Sequence, residues 1–312
     1  MNNTAPNFVV TTEYQRFAEF CDACRAYGYI GLCYGAPGVG KTLSARYYAN
    51  WDRVLAYWLI PDDADRDLAQ VAGSETVFYT PEVTNTPRRV EEHIWRLRQS
   101  LSSILITELE EQERILLETV GPGNLALRYS LLHDIGADTR LSKELIEAQL
   151  TPQEISMIYH ARSRELSDPT TLLVIDEADR LKTAALEQVR DIFDQDGLGV
   201  VLIGMPGLER RLSRYPQLYS RVGFVHEFRT LSAREVRHVF NQKWVPSGVT
   251  VAAEQFVAPE ILAALIRITG GNFRLLHRLI TQSARLMKIN ALSKVTQEVV
   301  EAAREALVIG TA

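Results

Sequence analysis

Residues 35–42 read Gly35-Ala36-Pro37-Gly38-Val39-Gly40-Lys41-Thr42, which fits G-x-x-x-x-G-K-[ST] and commits this stretch to a strand, a tight loop and a helix. The residue types follow from the chemistry. Glycines let the backbone curl so that successive N–H groups point at phosphate oxygens. The helix that follows adds the partial positive charge of its N-terminus. Lys41 is long enough to reach β- and γ-phosphates, and the Thr42 hydroxyl suits a Mg²⁺ ion. The flanks agree. Tyr29 to Tyr34 reads as a short buried strand, and Thr42 to Trp51, free of Gly and Pro, reads as a helix. Nucleotide contact is expected from Gly35, Pro37, Gly38, Val39, Gly40, Lys41, Thr42 and Leu43.

A second segment supplies acid. Thr171-Leu172-Leu173-Val174-Ile175-Asp176-Glu177-Ala178-Asp179 begins as the aliphatic run of a central parallel strand covered on both faces. Ligands bind at the carboxyl end of such strands, and acids there need a cation partner. Asp176 is the expected second Mg²⁺ ligand beside Thr42. Glu177 is placed to polarise a water for in-line attack on a γ-phosphate. The competing reading has Asp176, Glu177 and Asp179 merely capping the next helix.

Bulk properties narrow the class. Of 312 residues, 46% are hydrophobic and 23% charged, ordinary values for a globular chain of one large or two modest domains. No run approaches the roughly 20 apolar residues that span a bilayer, and Met1 to Pro6 lacks a leader's basic and apolar regions. Three cysteines point to a reducing, cytoplasmic setting without a disulfide framework. Cys21 and Cys24 form a lone C-x-x-C within the helical stretch 12–27, with no ligands nearby to complete a metal site, and read as buried thiols. A net charge of −5 does not advertise nucleic-acid binding, though a local basic face is compatible with it.

The pattern along the chain is α/β and then helical. Strands are expected at Thr76 to Thr80, 171–176, 199–204 and 224–228. A helix starts near Arg88, with Thr86 as cap and Pro87 in its first turn. From about 98 to 168 the chain turns rich in Leu, Ile, Glu and Gln without a strand, and reads as a helical insertion. From Leu231 onward everything reads as helix. The expected division is a nucleotide-binding α/β core over 1–230, carrying the insertion, and a helical lid over 231–312.

This layout resembles the AAA+ ATPases, and within them the transposition ATPases of the MuB, TniB and TnsC type, with IstB and ExeA nearby. The strings that carry the resemblance are the loop 35–42, the acidic strand 172–179, Leu202-Ile203-Gly204-Met205-Pro206-Gly207-Leu208, Ser220-Arg221-Val222-Gly223-Phe224, and Gly270-Gly271-Asn272-Phe273-Arg274. The resemblance implies a P-loop NTPase fold of AAA+ type, with a parallel sheet flanked by helices, and use of ATP and Mg²⁺. It implies that Lys41, Glu177, Arg221 and Arg274 serve hydrolysis. Arg221 would act on the nucleotide of a neighbouring subunit, and Arg274 on that of its own. Arg210, Arg211 and Arg214 compete with Arg221 for that role. Many members carry Asn or Thr where Gly204 and Met205 stand, and this departure fits a slow ATPase.

As to role, the resemblance implies a protein that assembles on duplex DNA with ATP as a ring or helical filament, recruits a transposase, and is taken apart by hydrolysis. Arg88 and Arg89 are the candidate contacts to the DNA backbone. The alternative is an ATPase of secretion or defence type that acts on protein partners, for which the insertion would be the contact.

Overall fold

The computed structural model describes residues 8–59, 67–119 and 168–307. At its centre is a five-stranded sheet, all pairs parallel, in the order β2-β3-β4-β1-β5. The strands are β1 (Ile30–Tyr34), β2 (Thr76–Tyr79), β3 (Leu172–Ile175), β4 (Gly199–Gly204) and β5 (Val222–Glu227). β2, β3 and β4 are buried along their whole length, as expected of strands covered on both faces. β5, at the edge, alternates half-buried and exposed residues.

Helix α1 (Thr12–Tyr27) starts under Thr11, whose hydroxyl accepts the Tyr14 N–H at 3.1 Å. Phe17, Phe20, Cys21 and Cys24 follow one another at helical spacing, and all are buried where α1 lies on β1, β4 and β5. The helix after the phosphate loop is shorter than the expected 42–51. α2 (Lys41–Tyr48) stops, Asn50 takes a left-handed φ of 52°, and α3 (Trp51–Leu59) begins anew. Asn tolerates that conformation better than most residues.

α4 (Pro87–Thr119) starts where Thr86 accepts the Arg89 N–H, and runs for 33 residues. The boundary expected near residue 98 is therefore no break. Leu101, Ile104 and Leu109 keep a buried stripe going, and α4 packs on α5 (Thr183–Asp196). The rest of the expected insertion, 120–167, lies outside the described residues. Short helices α6 (Leu208–Leu212) and α7 (Pro216–Tyr219) join β4 to β5.

Beyond β5 come α8 (Ala233–Asn241), α9 (Pro259–Thr269), α10 (Phe273–Ile289) and α11 (Gln297–Glu305). α8 opens with a capping box formed by Ser232 and Glu235. Buried apolar residues fall into two clusters. One runs from Phe17 to Phe228, the other from Leu231 to Ala303, and residue 230 lies between them.

Candidate nucleotide-binding site

β1, β4 and β3 lie side by side and point the same way, so their carboxyl ends open on one cavity of about 580 Å³. Lys41 enters it from the start of α2. Its ammonium donates to the carbonyls of Gly35 at 2.5 Å and Ala36 at 2.9 Å, which folds the loop around the charge. Burial holds the Lys41 ammonium below its ordinary range, against the pull of Cys33, Asp176 and Asp179. A phosphate would restore the missing counter-charge.

The Thr42 hydroxyl donates to Asp176 Oδ2 at 2.6 Å, and the Glu177 N–H to Asp176 Oδ1 at 2.9 Å. Asp176 is 3% exposed. Burial pushes its carboxyl up in spite of these two hydrogen bonds, the mark of an anion short of a cation. A hydroxyl and a carboxylate are hard oxygen donors that suit Mg²⁺, so these residues fit the ion that the sequence implies.

Glu177 follows in a left-handed conformation, φ 50°, which turns the chain out of the strand. Its carboxylate is paired with the Arg180 guanidinium, which also donates to the Pro81 carbonyl at 3.0 Å. To serve as the base expected from the sequence, Glu177 would have to exchange this partner.

α10, in the stretch expected to form a lid, meets the phosphate loop. The Arg274 N–H donates to the Gly38 carbonyl at 2.9 Å, and Asn272 Nδ2 to the Pro37 carbonyl at 2.8 Å. Asn272 also caps α10 by accepting the Leu275 N–H. Gly38 has a φ of 82°, and a Cβ there would sit 2.7 Å from Arg274 Cβ. The lid and the phosphate loop thus touch where the loop has no side chain. Arg274, Arg278 and His277 line the cavity.

Arg221 is elsewhere. It precedes β5, at the opposite end of that strand from Phe228, whose carbonyl lies against Gly35. Its guanidinium grips Asp194 at 2.6 and 2.8 Å, and this pairing holds the Asp194 carboxyl low. It is therefore no part of this chain's own cavity. Of its competitors, Arg211 is tied to the carbonyls of Asp179 and Leu181, whereas Arg210 is 89% exposed at its side chain. Arg88 pairs with Glu92 at 2.8 Å and Arg89 with Glu82 at 3.8 Å, so both engage acids of their own surface.

The sequence reading missed a second cavity of about 240 Å³, contiguous with the first through Gly40, Leu43, Phe273 and His277. Val39, Phe228, Val239 and Trp244 make it apolar, and residues 8, 9 and 11 flank it. Trp244 packs 4.9 Å from Phe273. A flat apolar slot beside a phosphate site suits a nucleotide base. No local motif could have revealed it, because its walls come from separate segments. The three cysteines are buried, and burial pushes the Cys24 thiol up to about 12. No cluster of three or more His, Cys, Asp or Glu able to hold a metal occurs among the described residues.

Comparison with known proteins agrees with this geometry. A family described as an AAA domain matches residues 24–212. The chain is 41% identical to a "Potential ATP-binding protein" of Staphylococcus aureus over 312 residues, 97% of each chain. It is 25% identical over 167 residues to the Mu-like prophage FluMu DNA transposition protein B of Haemophilus influenzae, covering 52% of this chain and 53% of that one. Among solved structures, the Aeropyrum pernix ORC1 protein in complex with DNA shares its fold, with a TM-score of 0.51 at 17% identity, over 98% of this chain and 68% of the other. The matched segment spans the phosphate loop, the acidic strand and β4, and the chain belongs to the AAA domain family of P-loop ATPases, which use ATP and Mg²⁺.

Proposed function

We propose that this ATPase assembles on duplex DNA in its ATP-bound state, as a ring or helical filament of identical subunits, and regulates transposition by marking the target and recruiting a transposase. The observation that carries this reading is the likeness to the FluMu transposition protein B. In this reading Lys41 binds the β- and γ-phosphates, while Thr42 and Asp176 hold Mg²⁺, which polarises the phosphoryl oxygens. Glu177 takes the proton of the attacking water. Arg274 reports the γ-phosphate to the lid, with which it moves. Arg221 leaves Asp194 and neutralises charge on a neighbour's nucleotide, a contribution of about 10³–10⁵ in rate for such arginines. The core over 1–230 binds nucleotide and the lid over 231–312 follows its state. A cytoplasmic location is part of the reading, supported by three unpaired cysteines. Among the described residues no helix is long and apolar enough to cross a membrane.

A second reading has a specific observation in its favour. Arg88 and Arg89 are already paired with carboxylates, and the net charge is −5. An ATPase that acts on protein partners needs no basic face. Electron microscopy with ATP, with and without duplex DNA, at low and high salt, separates the two. Regular assemblies that need both ATP and DNA and dissolve in salt support the first. ATP-dependent oligomers indifferent to DNA support the second.

A further inference from the structure

Three parallel strands end on the phosphate cavity, and the middle one brings no polar side chain. β1 leads to Lys41 and Thr42, and β3 to Asp176 and Glu177, but β4, between them, ends in Gly204 and Met205. The gap is filled from another element. Asp179, in the short turn Ala178–Arg180 after β3, lays its carboxylate on the end of β4, where Oδ2 accepts the Met205 N–H at 2.7 Å. A Cβ on Gly204 would lie 2.5 Å from that oxygen and 3.0 Å from the carboxyl carbon. Gly204 is not among the residues with positive φ, so its backbone conformation does not call for glycine. Space does: any side chain here displaces the Asp179 carboxylate. The backbone of Asp179 is anchored as well, since its carbonyl accepts Arg211 Nη1 at 2.6 Å.

Only one of the two carboxylate oxygens is engaged. Oδ1 makes no hydrogen bond among the described residues. Asp179 lines the same cavity as Lys41, and its charge acts on the Lys41 ammonium.

We propose that Asp179 orients the attacking water of the ATPase, Oδ2 being held by the Met205 N–H and Oδ1 accepting a hydrogen bond from that water, in the place left by the bare end of β4. This rests on the assignment of the cavity to the phosphates of ATP. In the step, the water oxygen bonds to the γ-phosphorus while the bond from that phosphorus to the β–γ bridging oxygen breaks and its electron pair leaves with ADP. One water proton passes to Glu177. The other, held by Asp179, stays with the phosphate product. A carboxylate accepts only, so it selects the orientation in which a lone pair of the water faces phosphorus.

Asp179→Asn tests this. The amide keeps the shape and can still accept the Met205 N–H, but it then presents an NH₂ donor to the cavity. Turnover should fall by about 100-fold, with KM and the affinity for a fluorescent ATP analogue within about twofold of the parent. A purely structural role would leave turnover intact. Asp179→Ala should be as slow, and combining it with Gly204→Asn should recover about tenfold, because a carboxamide from β4 enters the vacated space. Parental turnover in Asp179→Asn, with ATP binding still weakened about 10- to 100-fold by Lys41→Ala, overturns this inference alone. A parental protein that binds no ATP overturns the phosphate assignment, and this inference with it.

Discussion

Lys41 and Asp176 are both buried charges whose pKa values move against them, Lys41 downward and Asp176 upward. Each is stabilised by what the other lacks room to supply: phosphate for the lysine, a divalent cation for the aspartate. Lys41→Ala should weaken ATP binding about 10- to 100-fold, the worth of charge-assisted hydrogen bonds, and abolish ATP-dependent assembly; titration with a fluorescent analogue checks it. Asp176 has its folded pKa raised, so its ionised form opposes folding once the pH exceeds the usual carboxylate range. Asp176→Asn should therefore raise the melting temperature of the nucleotide-free protein at neutral pH while removing the Mg²⁺ dependence of binding, a trade typical of functional sites. Scanning calorimetry with and without Mg²⁺-ATP reads both effects. Glu177→Gln should bind ATP as the parent does yet hydrolyse it about 10²–10⁴ times more slowly, leaving assemblies trapped in electron micrographs.

At the scale of elements, the joint between α1, the end of β5 and α8 runs through a buried carboxylate. Glu13 of α1 is 4% exposed. Its Oε1 accepts the Arg229 N–H at 3.0 Å and lies 3.3 Å from His226 Nε2, and its own N–H donates to Glu235 of α8. Burial pushes its carboxyl up, but the His226 ring and the Arg229 N–H outweigh that and hold it low. A lowered carboxylate stabilises above its unfolded pKa and ceases to do so as pH falls through the folded one. The joint should therefore loosen in acid, below the usual carboxylate range, and Glu13→Gln should reproduce the loosening at neutral pH; amide hydrogen exchange at residues 226–236 reads it. α4 tests packing instead. Leu101 is 1% exposed in the core cluster, so Leu101→Ala should cost about 2–5 kcal/mol in chemical denaturation.

Across the whole molecule, buried apolar residues form two clusters, and hydrogen bonds from Asn272 and Arg274 tie the helices of the second to the phosphate loop beside the first. Pro37 and Asn272 are 235 residues apart in sequence and hydrogen-bonded in space. In the proposed reading, nucleotide at the loop would be felt by α10 through these hydrogen bonds. Gly38→Ala should uncouple the two, because its Cβ meets Arg274. ATP should still protect the α/β core from proteolysis, while ATP-dependent assembly is lost.

What the chain determined by itself was local. The phosphate loop, the acid-bearing strand, the helix caps at Thr11, Ser232 and Asn272, and the buried stripe of α1 rest on contiguous residue types and short-range periodicity, which need no partner to be legible. Where a choice depended on distant neighbours, the sequence was silent or misleading. Composition changes near residue 98, yet α4 continues, and Leu101 and Ile104 beyond that point join the core cluster. The apolar slot at Trp244 has walls from separate segments. The pairing of Arg221 with Asp194 joins residues 27 positions apart, which no local pattern specifies. Gly204 reads as a missing side chain until Asp179 is seen to occupy its room. Cavities, ion pairs and steric exclusion arise between segments brought together by the sheet order, and that order is decided by the burial of the whole core rather than by any one stretch of it.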